Sequence, residues 1–490
     1  MAKPPKAPGA NGPGTAATVF DELTSRVEAL SGSSHWCSTV LAVTAGAVAE
    51  LLGEAAARSL LPMTLHATHA ETRAKGLLAA GLARRGEAGA AAAARAEAVA
   101  DIGRHDVDGE AGTVAWCAVA RASAALGDQD GVARALDEAE ACAERDRINP
   151  TQPWSHWMLA LAEHGRLDRL AAALAARPTF DIAFDIEKAA TRGVALATAA
   201  GDLAAIGRFR EALRGAHPHV LYAGALRGGE DAIRAGRGAT LHETLKWLAD
   251  TGHAAAAAAR LALVAAEVGD AALARALLGR VAGVGECGSN DVANAYEALG
   301  DGAAAAAERA RIAGGELRPF AFDELARPLR VWRARDAAGA QAQAAAQEAL
   351  ARTLPGRDGW EALADVGLAR VAAGDAAGAA LVDEAVAGAD ALPKTDQGWT
   401  RNFALQKIGN SAADGGAWAP SFAALRKCTS KHYKPQVASR LASLYARAGD
   451  PAGVRAVLAH VPATELKGLM AGSDALHVLA GREPPWVEHS

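Results

Sequence analysis

The stretch TVAWCAVARASAALGDQDGVARALDEAEACAER, residues 113 to 145, decides the fold. At its centre stands Gly127-Asp128. A glycine takes the left-handed conformation that ends a helix, and an acidic residue after it is suited to cap the next one. One dipeptide therefore stops one helix and starts another. The same Gly-acid pair recurs at Gly53-Glu54, Gly86-Glu87, Gly201-Asp202, Gly269-Asp270, Gly300-Asp301, Gly374-Asp375 and Gly449-Asp450. The gaps fit a unit of about 36 residues, within the range of two-helix solenoid repeats. Weaker turns at Gly165-Arg166, Gly236-Arg237, Asp336 and Asp414 fill the longer gaps. The spacing thus predicts an all-α chain of about a dozen antiparallel hairpins.

Composition agrees with this reading. Of the 490 residues, 51% are apolar, mostly alanine, and only 4% are aromatic, which suits closely packed helices with short side chains. Alanine has the highest helix propensity, and runs of β-branched residues are scarce. A repeat array buries each unit against its neighbours, so length alone does not set the number of domains. Residues 18–481 are expected to form one continuous solenoid. Residues 1–17, broken by Pro4, Pro5, Pro8 and Pro13 and followed by no apolar run, are expected to be a disordered tail. Residues 482–490, with Pro484-Pro485, are expected to be a short tail after a capping helix.

Measured from the turn glycine, further positions repeat. A tryptophan lies eleven residues earlier at Trp116 and Trp154, and a large-then-small pair lies eight and seven earlier at Leu78-Ala79, Val119-Ala120, Leu261-Ala262, Val366-Gly367 and Leu441-Ala442. Tyr445 stands four before Gly449, and Ala91, Ala274 and Ala379 stand five after their glycines. In these positions the chain resembles the tetratricopeptide repeat family, in degenerate form, with a looser HEAT-like helical repeat as the alternative. The resemblance implies a right-handed α-solenoid whose first helices line a concave groove that holds a protein or peptide.

Charge and cysteine usage narrow the function classes. The net charge of −5 and the pI near 6.3 disfavour a chain whose main task is coating nucleic acid, which requires neutralising phosphates. Cys37, Cys117, Cys142, Cys287 and Cys428 are far apart and odd in number, as expected for reduced thiols of a cytoplasmic protein. The apolar stretches are too short or too interrupted to span a membrane.

No catalytic constellation stands out. His66 and His69 share a helical face, but spacing fixes no third metal ligand, and His432 near Cys428 fares no better. The glycines between Gly279 and Asn290 follow a helix and lack the Gly-Lys-Ser/Thr ending of a phosphate loop. The expectation is a non-catalytic scaffold with no cofactor and no metal, its rivals being a self-associating structural subunit and a nucleic-acid-binding repeat protein.

Two features depart from the repeat. Within the basic region 395–450, the segment from Arg401 to Arg447 sums to +7, leaving −12 on the rest of the chain. Its Arg401, Lys407, Lys427, Lys431 and Lys434 are candidate partner-binding residues. Asn402, Gln406 and Asn410 recur every four residues as an amide stripe, with Asn290 and Asn294 as a shorter one, and the family resemblance implies that such amides hold a peptide backbone. Trp247, Trp332, Trp360, Trp399 and Trp418 share no common offset, which marks them as candidate anchors.

Overall fold

The computed structural model describes residues 13–30, 35–64, 68–105, 107–146, 151–176, 184–213, 218–248, 253–281, 286–313, 337–393, 398–462 and 466–482. Among them there is no strand. The helices begin with α1 Pro13–Ala29, α2 His35–Leu52, α3 Glu54–Ser59, α4 Thr68–Arg85, α5 Ala88–His105, α6 Gly109–Ala125, α7 Gln129–Arg145, α8 Thr151–Glu163 and α9 Leu167–Ala176. They continue with α10 Phe184–Ala200, α11 Leu203–Ala212, α12 Pro218–Arg234, α13 Leu241–Leu248, α14 Ala254–Glu267, α15 Ala271–Leu278, α16 Glu286–Ala298 and α17 Gly302–Ala313. The last are α18 Ala337–Thr353, α19 Gly356–Ala372, α20 Ala377–Asp390, α21 Trp399–Asp414, α22 Trp418–Lys427, α23 Lys434–Arg447, α24 Pro451–Leu458 and α25 Leu466–Leu479.

The turn chemistry follows the sequence closely. Gly53, Gly86, Gly127, Gly165, Gly201, Gly236, Gly269, Gly300, Gly374 and Gly449 all have positive φ. At Gly127 the amide of the next residue, Asp128, donates back to the Ser123 carbonyl at 2.9 Å, which satisfies an end carbonyl of α6. The Asp128 carboxylate then accepts from the Gly131 amide at 2.8 Å inside α7. Asp202, Asp270, Asp301 and Asp450 cap their helices in the same way. The turn expected at Asp414 falls at Gly416 instead, where φ is 76°, because only glycine there meets the left-handed requirement without strain. Asp336 lies outside the described residues.

The chain forms two compact units. One comprises Met1–Val107, Ala118–Ala135 and Pro319–Ser490, and the other comprises Asp108–Cys117 and Leu136–Arg318. In the second unit α8, α10, α12, α14 and α16 pack each on the next, while α9, α11, α13, α15 and α17 follow their glycine turns as partner helices. Its core holds Trp157, Leu170 and Phe209, and the Trp157 indole donates to the Leu136 carbonyl at 2.9 Å. Trp154, expected inside, is buried beside it with ring centroids 5.3 Å apart, whereas Trp116 is only half-buried.

In the first unit α2 packs on α4, and α19, α21, α23 and α25 pack in succession. Small residues set these approaches. A Cβ at Gly81 of α4 would collide with the Gly46 carbonyl of α2. Gly81→Ala is therefore expected to cost about 1–3 kcal/mol, read as a lowered urea midpoint.

The ends of the chain depart from expectation. Residues 13–17, expected in the tail, open α1, and Thr15 and Ala16 are buried. More consequentially, α25 is no polar cap. It lies between α23 on one side and α1 and α2 on the other, with Gly468, Leu469 and every residue from Ala471 to Val478 buried. The first and last described helices are thus neighbours in one core that runs from Val19 and Leu23 through Val48 to Leu469 and Leu476. Arg26 donates to the Leu458 and Val461 carbonyls at 2.6 and 3.1 Å, and the Thr44 and Ser473 hydroxyls lie 2.7 Å apart. Arg482, expected to begin the tail, bonds to Gly46 and pairs with Glu50.

Candidate functional site

The N-terminal ends of α19, α21, α23 and α25 bring together a cluster that no single repeat contains. Gly398, with φ 73°, turns the chain into α21, whose first residue is Trp399. Trp399 is 53% exposed, an unusual position for so large an apolar surface. Phe403 lies one turn further and stacks on it at 5.3 Å and 12°, as i,i+4 spacing allows. Tyr433, which precedes α23, meets both rings edge-on at 6.0 and 5.6 Å. Offset and edge-on pairs of this kind hold one another in place.

Cations surround these rings. The Arg357 guanidinium from α19 lies 4.9 Å from the Phe403 centroid, and the Lys407 ammonium lies 5.7 Å from it. His432 packs edge-on against Tyr433, and Lys467 from α25 donates to its Nδ1 at 3.1 Å. Burial and the Lys467 cation hold the His432 imidazole below its ordinary range. The nearby carboxylates are Asp358 and Glu361, both ion-paired with Arg357, and burial pushes Glu361 up. Lys431 is exposed and Lys434 half-buried at the same end of α23.

Other residues expected to meet a partner are used internally. Arg401 is 6% exposed; it donates to the Asp390 and Lys427 carbonyls at 3.1 and 2.9 Å and pairs with the Asp390 carboxylate. Lys427 pairs with Asp390 as well. Burial of Asp390 opposes ionisation, but hydrogen bonds from Lys427 and Arg401 hold its carboxyl below the usual range. Arg440 pairs with Asp414, so much of the positive charge in the segment is matched by acids of the segment or the preceding repeat.

Asn402 is 5% exposed, which takes it out of any open groove. Its Nδ2 donates to the Gly398 carbonyl at 2.8 Å, and its Oδ1 accepts from the Thr429 and Ser430 amides at 2.8 and 3.2 Å. It fastens the turn before α23 to the start of α21. Asn402→Ala is expected to destabilise the first unit by about 1–3 kcal/mol, seen in urea unfolding, since two amides lose their acceptor. Gln406 and Asn410 are half-buried. Asn294 is buried within α16, and the Asn290 side chain lies outside the described residues, as do those of Trp247 and Trp332.

The cluster was within reach of sequence reasoning. Trp399, Phe403 and Lys407 recur every four residues on α21, the same spacing as the amides beside them. Trp418 and Trp360 are half-buried, Trp418 against Tyr445 at 4.7 Å. Among the described residues no group of three His, Cys, Asp or Glu side chains is placed to hold a metal ion, and no helix is long and apolar enough to cross a membrane. The His66 and His69 side chains lie outside the described residues. The arrangement offers one exposed ring, Trp399, backed by the half-buried Phe403 and the buried Tyr433 and rimmed by cations, suited to binding.

No family model matches the chain, and no curated protein matches it. Among solved structures, a circular tandem repeat protein with novel repeat topology and enhanced subunit contact surfaces is similar over 96% of this chain and 86% of that chain, at 12% identity and a TM-score of 0.18.

Proposed function

We propose that this chain is a non-catalytic interaction scaffold that binds a protein or peptide through Trp399, which Phe403 and Tyr433 hold in place. The observation that carries this reading is the exposed Trp399, held rigidly by its stack on Phe403. Tryptophan dominates interface hot spots because a fixed aromatic surface is desolvated with little loss of conformational entropy. The repeats act as the frame: we take their hairpins as degenerate tetratricopeptide-like units of a right-handed solenoid, on the strength of the glycine turns and small contact residues. The buried cysteines Cys37, Cys117, Cys142 and Cys428 support a cytoplasmic setting.

The test compares proteins captured from the native host by the wild type, by Trp399→Ala, and by Val268→Ser, which alters another exposed apolar residue in the second unit. At least one captured protein should be lost with Trp399→Ala and kept with Val268→Ser. Identical captured sets for all three would remove the reading. Light scattering on the same samples identifies the case in which the captured protein is a second copy of this chain.

A further inference from the structure

The rim of the aromatic cluster carries more cations, Arg357, Lys407, Lys431 and Lys467, than carboxylates, Asp358 and Glu361. Arg401, Lys427 and Arg440 are matched by Asp390 and Asp414. Among the described residues no ion pair engages Lys407 or Lys431, both exposed. Lys467 donates to the His432 ring and carbonyl, at 3.1 and 3.4 Å. Of the four helices that build the rim, α21, α23 and α25 have no acidic residue in the first turn, and the Asp358 and Glu361 carboxylates of α19 are paired with Arg357, Glu361 also meeting the field of Lys407. The excess is local, since the whole chain carries −5.

We propose that this surface docks an acidic peptide segment, one in which Glu or Asp residues flank an aromatic or large apolar side chain. The proposal rests on the scaffold reading above and adds the chemistry of the partner. The apolar side chain would stack on Trp399, and its neighbouring carboxylates would reach Lys407 on one side and Lys431 and Lys467 on the other. The aromatic contact supplies most of the affinity, while the cations select the sign of the partner and speed its approach. Their contribution is screened by salt. A bound carboxylate also offsets the Lys467 cation, so the His432 pKa rises on binding.

The experiment uses the full chain and three fluorescein-labelled probes: a peptide alternating Glu with Phe, the same peptide with Gln for Glu, and a deoxythymidine oligomer. Fluorescence anisotropy at low salt reads binding. The acidic peptide is expected to bind at least about tenfold tighter than the Gln peptide or the oligomer. Trp399→Ala should weaken it about 30-fold, and Lys407→Ala combined with Lys431→Ala about tenfold, both with unchanged circular dichroism and urea midpoint. The His432 imidazole, identified in NMR spectra by its loss in His432→Gln, should titrate at higher pH in the complex. Equal binding of the Gln peptide, tighter binding of the oligomer, or no binding of the acidic peptide would each overturn the proposal. The capture comparison uses none of these probes, so the scaffold reading stands or falls apart from them.

Discussion

Arg26→Ala is expected to destabilise the first unit by about 3 kcal/mol, the largest effect of any single substitution on the joint between the chain ends. The Arg26 side chain is 4% exposed, and its guanidinium spans two carbonyls at the end of α24, Leu458 and Val461. The Leu458 carbonyl also accepts from the Val461 amide at 2.9 Å, so the guanidinium is its second donor, and a cation there meets the favourable end of the helix dipole. Removing the guanidinium takes a charged donor from both carbonyls, of which Leu458 keeps the Val461 amide, while Glu22, its i,i+4 partner at 3.0 Å, is partly solvated and loses little. A Cβ at Gly468 would press on the Arg26 side chain, so there is little slack for another residue to reach in its place. Hydrogen exchange should show the α24 and α25 amides losing protection in the variant while those of the second unit keep theirs.

Lowering the pH from 7 to 5 should remove about 2 kcal/mol from the same joint. His477 of α25 is 7% exposed and donates from Nε2 to the Val43 carbonyl at 3.2 Å. Burial, with the Arg482 cation and to a lesser degree Arg84 adding to it, lowers its pKa from 6.5 to about 3, against the opposing effect of the Val43 bond. The folded chain thus refuses a proton that the unfolded chain accepts below pH 6.5. Stability is full above that value and falls by about 1.4 kcal/mol per pH unit toward the folded value, so acid loosens the joint. His477→Gln keeps a donor for Val43 and does not titrate. Its urea midpoint should vary less between pH 7 and pH 5 than that of the wild type.

These two effects lie where the sequence was least legible. The Gly-acid turns could be read because left-handed backbone demands glycine and an exposed helix start favours a carboxylate, both local requirements. Nothing local distinguishes α25 from a terminal cap, since its partners Thr44 and Val43 lie 429 and 434 residues away. The same limit applied to the candidate site. Asn402 looks like a groove amide on its own helix, but its acceptor is taken by Thr429 and Ser430 in the next hairpin. Arg401 and Lys427 look like free charges until Asp390 is placed between them. The Trp399, Phe403 and Lys407 spacing was open to view, whereas Tyr433 and Lys467 join it only through packing of successive repeats.

The binding surface depends on the joint as well. Lys467 reaches His432 from α25, and α25 is held by α1 and α2 from the other end of the chain. The claim on which the account turns is that the last helix is an interior element joined to the first ones. Thr44→Cys with Ser473→Cys tests it, since the two hydroxyls they replace lie 2.7 Å apart. On mild oxidation the double variant should form an intramolecular disulfide, shifting its mobility on a non-reducing denaturing gel, with no shift in either single variant. Thiols at both positions that remain free to alkylation in denaturant after oxidation, or links formed only between molecules, would contradict it.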